Sequence, residues 1–182
     1  MDYSESIKEH YRKFLGGFTE HEFNKGPVNE LPIGFKILKF PPNSKRNMWT
    51  YATCGMSDNL DVNAIEVHMF SFVEYDFLIE LLTIIAHYHI RGGNLGLGHT
   101  INFGCPWYKD SNLEYGLISL PYLDGPIFEN FQTKSRNIQF LWIIPITLNE
   151  KNYKKQMGLE ALEQKFDEIN LNYLNPFRKS VI

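Results

Sequence analysis

Apolar positions along the first fifteen residues fall at helical spacing. Ile7, Tyr11, Phe14 and Leu15 share one face and Gly16-Gly17 ends the run, which predicts an amphipathic helix over residues 3 to 15 with a glycine C-cap. The chain to about Pro32 reads as loop, with Lys25-Gly26-Pro27 as a turn signal. The pattern then changes to period two. Three strands are predicted, Phe35 to Phe40, Asn47 to Cys54 and Ala64 to Phe72, separated by the breakers Pro41-Pro42-Asn43-Ser44 and Ser57-Asp58-Asn59. In the third, Ile65, Val67, Met69 and Ser71 alternate with Glu66, His68, Phe70 and Phe72, and the first set is expected to face a core.

Residues 76 to 90 return to helical spacing. Asp76, Glu80, Thr83 and His87 form a narrow polar stripe opposite Leu78, Leu81, Leu82, Ile85 and His89, while Phe77, Ile84 and Tyr88 widen the apolar surface. This predicts the most buried helix of the fold, with Asp76 as N-cap and Gly92 or Gly93 as left-handed C-cap. Strands follow at about 100 to 104, 116 to 122 and 138 to 147, and Pro145 marks an edge or a bulge in the last. A polar, Lys-rich stretch from Asn149 leads to a terminal helix carrying Leu159, Leu162, Phe166 and Ile169, and Asn175-Pro176 stops it. The predicted order is α-βββ-α-βββ-α. Two runs of sequential strands separated by helices define an α+β class, with a mixed, largely antiparallel sheet packed by helices. One domain is expected over 1–182, made of an N-terminal helix and loop (1–31) and a core (32–182).

Composition supports a packed core. The chain has 182 residues, 43% hydrophobic and 15% aromatic, enough to bury roughly 70% of its unfolded surface. Eighteen Lys and Arg against 21 Asp and Glu give a net charge of −3, with no basic run to neutralise a phosphate backbone. Nucleic-acid binding is therefore not expected, whereas a basic protein partner suits a mildly acidic surface. The N-terminus has early acids and no apolar core of signal-peptide length, and no run is long enough to cross a membrane. A cytosolic protein without membrane contact is expected, with Cys54 and Cys105 as small buried hydrophobes.

Candidate chemistry is sparse. Gly93 to Thr100 approaches the phosphate-cradling pattern GxxxxGK[ST], but His99 stands where lysine belongs. A helix also precedes and a strand follows, the reverse of the order that chemistry needs. His87 and His89, two apart on a helix, point away from each other and do not share a metal, and a site built from His68, His89 and His99 has no ligand spacing to announce it. His89 is expected to be a hydrogen-bonded core residue. Cys105 with His99 or Cys54 with His68 carries no sign of an activated nucleophile, and no GxSxG elbow or paired carboxylates occur. No catalytic residue, cofactor or metal site is assigned. The Pro121-Tyr-Leu-Asp-Gly-Pro126 segment differs in kind: a stiff turn presents Tyr122 and Asp124 at low entropic cost, although an Asx-turn and inward packing are the alternatives. Trp107 and Tyr108, before the polar Lys109-Asp110-Ser111-Asn112 loop, are a second aromatic candidate for partner contact, with core packing as the alternative.

The stretch from His87 (HYHIRGGNLGLGHTINFGCPW), with YGLISLPYLDGP after a short gap, MWTYATCGMS before it and QFLWIIPIT behind it, resembles the suppressor-of-fused domain family. The resemblance runs from about Pro32 to the C-terminal PFRKSV. It implies a protein-binding module in place of an enzyme. With no second domain after residue 182, it further implies the bacterial single-domain type, an immunity protein or antitoxin that binds a cognate toxin such as a basic nuclease. The alternative is an intracellular regulator that sequesters a transcription factor or another soluble partner, and a small-molecule or metal-dependent enzyme ranks behind both. The eukaryotic relatives also suggest that a partner strand adds to the sheet edge near Pro145.

Overall fold

Where the period is clear, helix and strand form as their spacing dictates. The computed structural model describes residues 2–23, 25, 30–59, 62–133 and 136–182; Gly26 and Pro27 of the expected turn lie outside the described residues. In chain order the elements are α1 (Tyr3–Leu15), β1 (Thr19–His21), β2 (Lys36–Phe40), β3 (Trp49–Cys54), β4 (Ile65–Ser71), α2 (Phe77–Tyr88), β5 (Thr100–Asn102), β6 (Tyr115–Ser119), α3 (Pro126–Glu129), β7 (Asn130–Gln132), β8 (Asn137–Ile146), α4 (Leu148–Met157) and α5 (Leu159–Glu168). This is an α+β fold with a mostly antiparallel sheet. Its order departs from α-βββ-α-βββ-α through the added short elements β1, α3 and β7 and the additional helix α4. The chain divides into two compact units, Met1–Leu97 with Leu120–Trp142, and Gly98–Ser119 with Ile143–Ile182.

In the first unit the strand order is β1-β2-β3-β4-β8, with β7 also pairing to β8. Neighbours are antiparallel except β4 and β8, whose parallel register places His68 beside Trp142. Asp2 accepts a hydrogen bond from the Tyr3 amide at the start of α1, and Gly16, at φ 95°, ends the helix. Its stripe of Ile7, Tyr11 and Leu15 packs on Leu38, Phe40, Ala52, Cys54 and Phe140, together with Phe128 of α3. The alternate residues Ile37, Tyr51, Val67 and Met69 are equally buried, and α2 packs across β2, β3 and β4. Strand β4 is therefore buried throughout. The expected core face of Ile65, Val67, Met69 and Ser71 is buried, and because helices cover both sides Glu66, His68 and Phe70 of the other face are inside as well.

Helix α2 is the most buried helix, as its spacing predicts, although Ile84 and Tyr88 are exposed. Asp76 does not cap it; its carboxylate accepts from Lys39 Nζ at 2.9 Å. A π turn, His89–Gly93, follows, and Gly92 (φ 115°) and Asn94 (φ 37°) supply the positive φ values that redirect the chain. His89 is the hydrogen-bonded core residue expected. One ring nitrogen meets the Asn63 carbonyl at 3.0 Å and the other accepts from the Leu95 amide at 2.9 Å.

In the second unit β5 pairs antiparallel with β6, and β6 neighbours β8. Gly116 is required in β6, because a Cβ there would stand 2.7 Å from Ile143 Cγ2 and 2.7 Å from the Phe103 ring. The Lys-rich stretch that reads as a polar lead-in is itself helix α4. Thr147 and Glu150 form a reciprocal capping box at its start, and Gly158, at φ 96°, separates it from α5. Near Pro145 the β4 pairing has already ended at Trp142, and the Pro145 carbonyl accepts from Arg178 Nη2 at 2.9 Å. Cys54 is buried as expected, but Cys105 is exposed. Among the described residues, no helix is long and apolar enough to cross a membrane.

Candidate functional site

The Pro121–Pro126 turn is built by its own sequence. The amides of Asp124 and Gly125 both donate to the Pro121 carbonyl, at 2.8 and 3.0 Å. Gly125 adopts φ 77°, which a side chain would oppose, and Pro126 takes the first turn of α3, where its missing N–H costs nothing. Phe128 of α3 is then fully buried in the first unit's core. The turn is thereby pinned at its base while Tyr122, Leu123 and Ile127 remain 57%, 47% and 72% exposed. Three large apolar side chains are thus exposed within six residues on a fixed turn.

The latch beneath the turn is an ion pair. Arg46 Nη2 donates to Asp124 Oδ1, and both side chains are nearly buried. Arg46 is positioned by a tight turn in which the Asn43 and Arg46 backbones bond each other at 2.8 and 3.1 Å, and its guanidinium lies 5.0 Å from the Phe70 ring centroid. Burial raises the Asp124 carboxyl above its ordinary value, and this outweighs the lowering by Arg46. His68 lies in the same buried region, 5.1 Å from Phe70 and 5.5 Å from Phe128 between ring centroids. Neither of its ring nitrogens has a hydrogen-bond partner among the described residues. Burial first, and the Arg46 charge second, push its pKa down to about 3, so it is neutral at physiological pH.

Four residues were singled out in the sequence. Tyr122 and Asp124 fall in the first unit, Trp107 and Tyr108 in the second. Tyr122 is exposed, whereas Asp124 holds the turn from inside. Trp107 has no exposed surface; its amide donates to the Leu113 carbonyl, and it shapes its loop from within. Tyr108 is half-buried with its ring edge-on to Phe177 at 6.0 Å. Sequence reasoning missed Arg46, because its partner is 78 positions away. It also missed Leu123 and Ile127, whose place in or beside a proline-bounded turn was the available signal.

The Glu66 cluster is internally satisfied. Glu66, fully buried, accepts from Thr53 Oγ1 at 2.6 Å, from the Gly55 and Ser57 amides at 3.0 Å each and from Ser57 Oγ at 2.5 Å. Burial still raises its pKa. It ties the turn after β3 to β4 and offers nothing to a substrate. Among the described residues, no group of three His, Cys, Asp or Glu is arranged to hold a metal.

An α+β sheet with helices on its faces and an apolar, latched turn fits a protein-binding module. A family model described as suppressor of fused protein (SUFU) matches residues 32–179. The solved structure of a SUFU homologue from Neisseria gonorrhoeae is similar over 100% of this chain and 98% of its own, at 30% identity and a TM-score of 0.88. The chain belongs to the suppressor-of-fused family. The same fold recurs in the crystal structure of a Sufu–Fu complex (16% identity, 98% of this chain, 90% of that one, TM-score 0.67). It recurs again in Drosophila Suppressor of Fused (14% identity, 98% of this chain, 50% of that one, TM-score 0.69). No curated protein sequence matches significantly.

Proposed function

We propose that this protein is a non-catalytic, cytosolic immunity protein that neutralises a cognate toxin by covering its working surface. The observation that carries the reading is the exposed Tyr122, Leu123 and Ile127 on a turn latched by a buried ion pair. A rigid aromatic and two aliphatic anchors lose little entropy on binding, and such side chains supply most of the energy of tight interfaces. The net charge of −3 favours encounter with a basic partner such as a nuclease. Tyr108, in the second unit, is a separate candidate for partner contact, while Trp107 and Asp124 keep their loops in shape. Neither nucleic acid nor a membrane takes part.

A second reading is favoured by the likeness to a Sufu–Fu complex and to Drosophila Suppressor of Fused. In it the protein is a regulator that sequesters a soluble protein partner through the same turn. Co-expression with the product of the adjacent gene separates the two. Growth rescue with a stable co-purifying complex is the result expected of an immunity protein. A neighbour that is harmless, or toxic yet neither bound nor neutralised, would discard that role in favour of the regulator.

A further inference from the structure

After α1 the chain turns through Gly16 and Gly17 into β1, leaving a groove of about 600 Å³ beside residues 41–45. Phe14, Leu15 and Phe18 line it, and Arg12, Lys13 and Lys45 supply its charge; among the described residues no acidic side chain lines it. This is a local reversal of sign in a protein of net charge −3. Arg12 pairs with Glu9 and lies 4.9 Å from the Phe18 ring centroid, which fixes its guanidinium against the groove. Lys13 and Lys45, both exposed, have no carboxylate partner among the described residues.

The negative end of α1, which would repel an anion here, is muted. The Arg12 carbonyl is bonded by the Gly16 amide and the Leu15 carbonyl by Asn43 Nδ2, each at 3.0 Å, while Arg12 and Lys13 occupy the last turn. Among the described residues, β1 pairs only with β2, so its other side carries no strand, and Thr19 at its start lines the groove. A second groove, of about 660 Å³, shares Arg12, Lys13 and Phe14 and is lined as well by Glu9, Ile127 and Phe131, so the site proposed here is confined to the first.

We infer that this groove is a docking site for an acidic, extended segment of a protein partner. Carboxylates of the segment bind Lys13, Lys45 and Arg12, an apolar side chain rests on Phe14 and Phe18, and the backbone runs beside the open side of β1. The side chains that bind the segment, Arg12, Lys13, Lys45, Phe14 and Phe18, do not include Tyr122, Leu123 or Ile127, so the site goes beyond the function proposed above and either can fail without the other.

The test uses the full chain and a short fluorescein-labelled glutamate-rich peptide with one central phenylalanine, read by fluorescence anisotropy. Binding is expected to weaken at least about tenfold as salt screens the contacts. It should weaken at least as much in Lys13→Glu/Lys45→Glu, return in Lys13→Arg/Lys45→Arg, and stay unchanged in Tyr122→Ala. Both lysines are exposed, and an unchanged thermal unfolding curve checks that the variants fold. Absence of binding to the wild type, equal binding by the charge-reversed variant, or equal binding of a peptide with glutamine in place of glutamate overturns the site.

Discussion

His68 carries a cost that depends on pH. It sits in the core as a neutral ring without hydrogen-bond partners among the described residues, and its pKa falls from the ordinary 6.5 to about 3. Below pH 6.5 the unfolded chain takes up a proton that the folded His68 refuses until about pH 3. Its contribution therefore lowers stability as pH falls through that window, by about 1.4 kcal/mol per pH unit. In His68→Phe this contribution is absent. Denaturant unfolding at pH 7 should show the variant as stable as wild type, or more stable by about 1 kcal/mol, and its advantage should widen from pH 6.5 downward. Parallel loss of stability by both proteins would mean that His68 is charged or partnered in the fold.

Among elements, legibility followed periodicity. Helices α1 and α2 and strands β2, β3 and β4 could be read because each repeats its apolar spacing over five or more residues. Strands β1 and β7 have three residues and α3 has four, too few to repeat any period. Helix α4 was hidden by its polar composition, although its Thr147-Leu-Asn-Glu150 start carried the capping signal; its start is held by tertiary contacts. Arg178 forms two hydrogen bonds to Glu150, at 2.6 and 2.8 Å, with both side chains buried. Burial alone would raise the Glu150 pKa, but Arg178 and the Thr147 and Val181 amides hold it below 4.5. This contribution is present above pH 4.5 and lost as pH falls through the folded pKa. Arg178→Met should cost about 3–5 kcal/mol at pH 7 by stranding a buried carboxylate, and the gap to wild type should narrow in acid; a loss below about 1 kcal/mol would refute the tether. Gly116→Ala forces a methyl into Ile143 and Phe103 and should cost about 1–3 kcal/mol in the same assay. A neutral result would show that these neighbours yield.

For the whole molecule, the family could be read from the order of apolar and glycine blocks, and the match over residues 32–179 establishes it. The proposed contact surface was only half visible. Tyr122 and Trp107 look alike in sequence, each an aromatic beside a proline and a polar loop, yet one is 57% exposed and the other fully buried. Only long-range packing separates them. Asp124 and its distant partner Arg46 likewise become a latch only when the chain folds. We propose that the protein acts by binding through the turn they hold. The most direct test is the affinity of Tyr122→Ala/Ile127→Ala for the partner that co-purifies with wild type, measured by titration calorimetry beside a thermal unfolding curve. Binding through the turn requires affinity weakened by at least about tenfold with unfolding unchanged, whereas full affinity in a folded variant would contradict it.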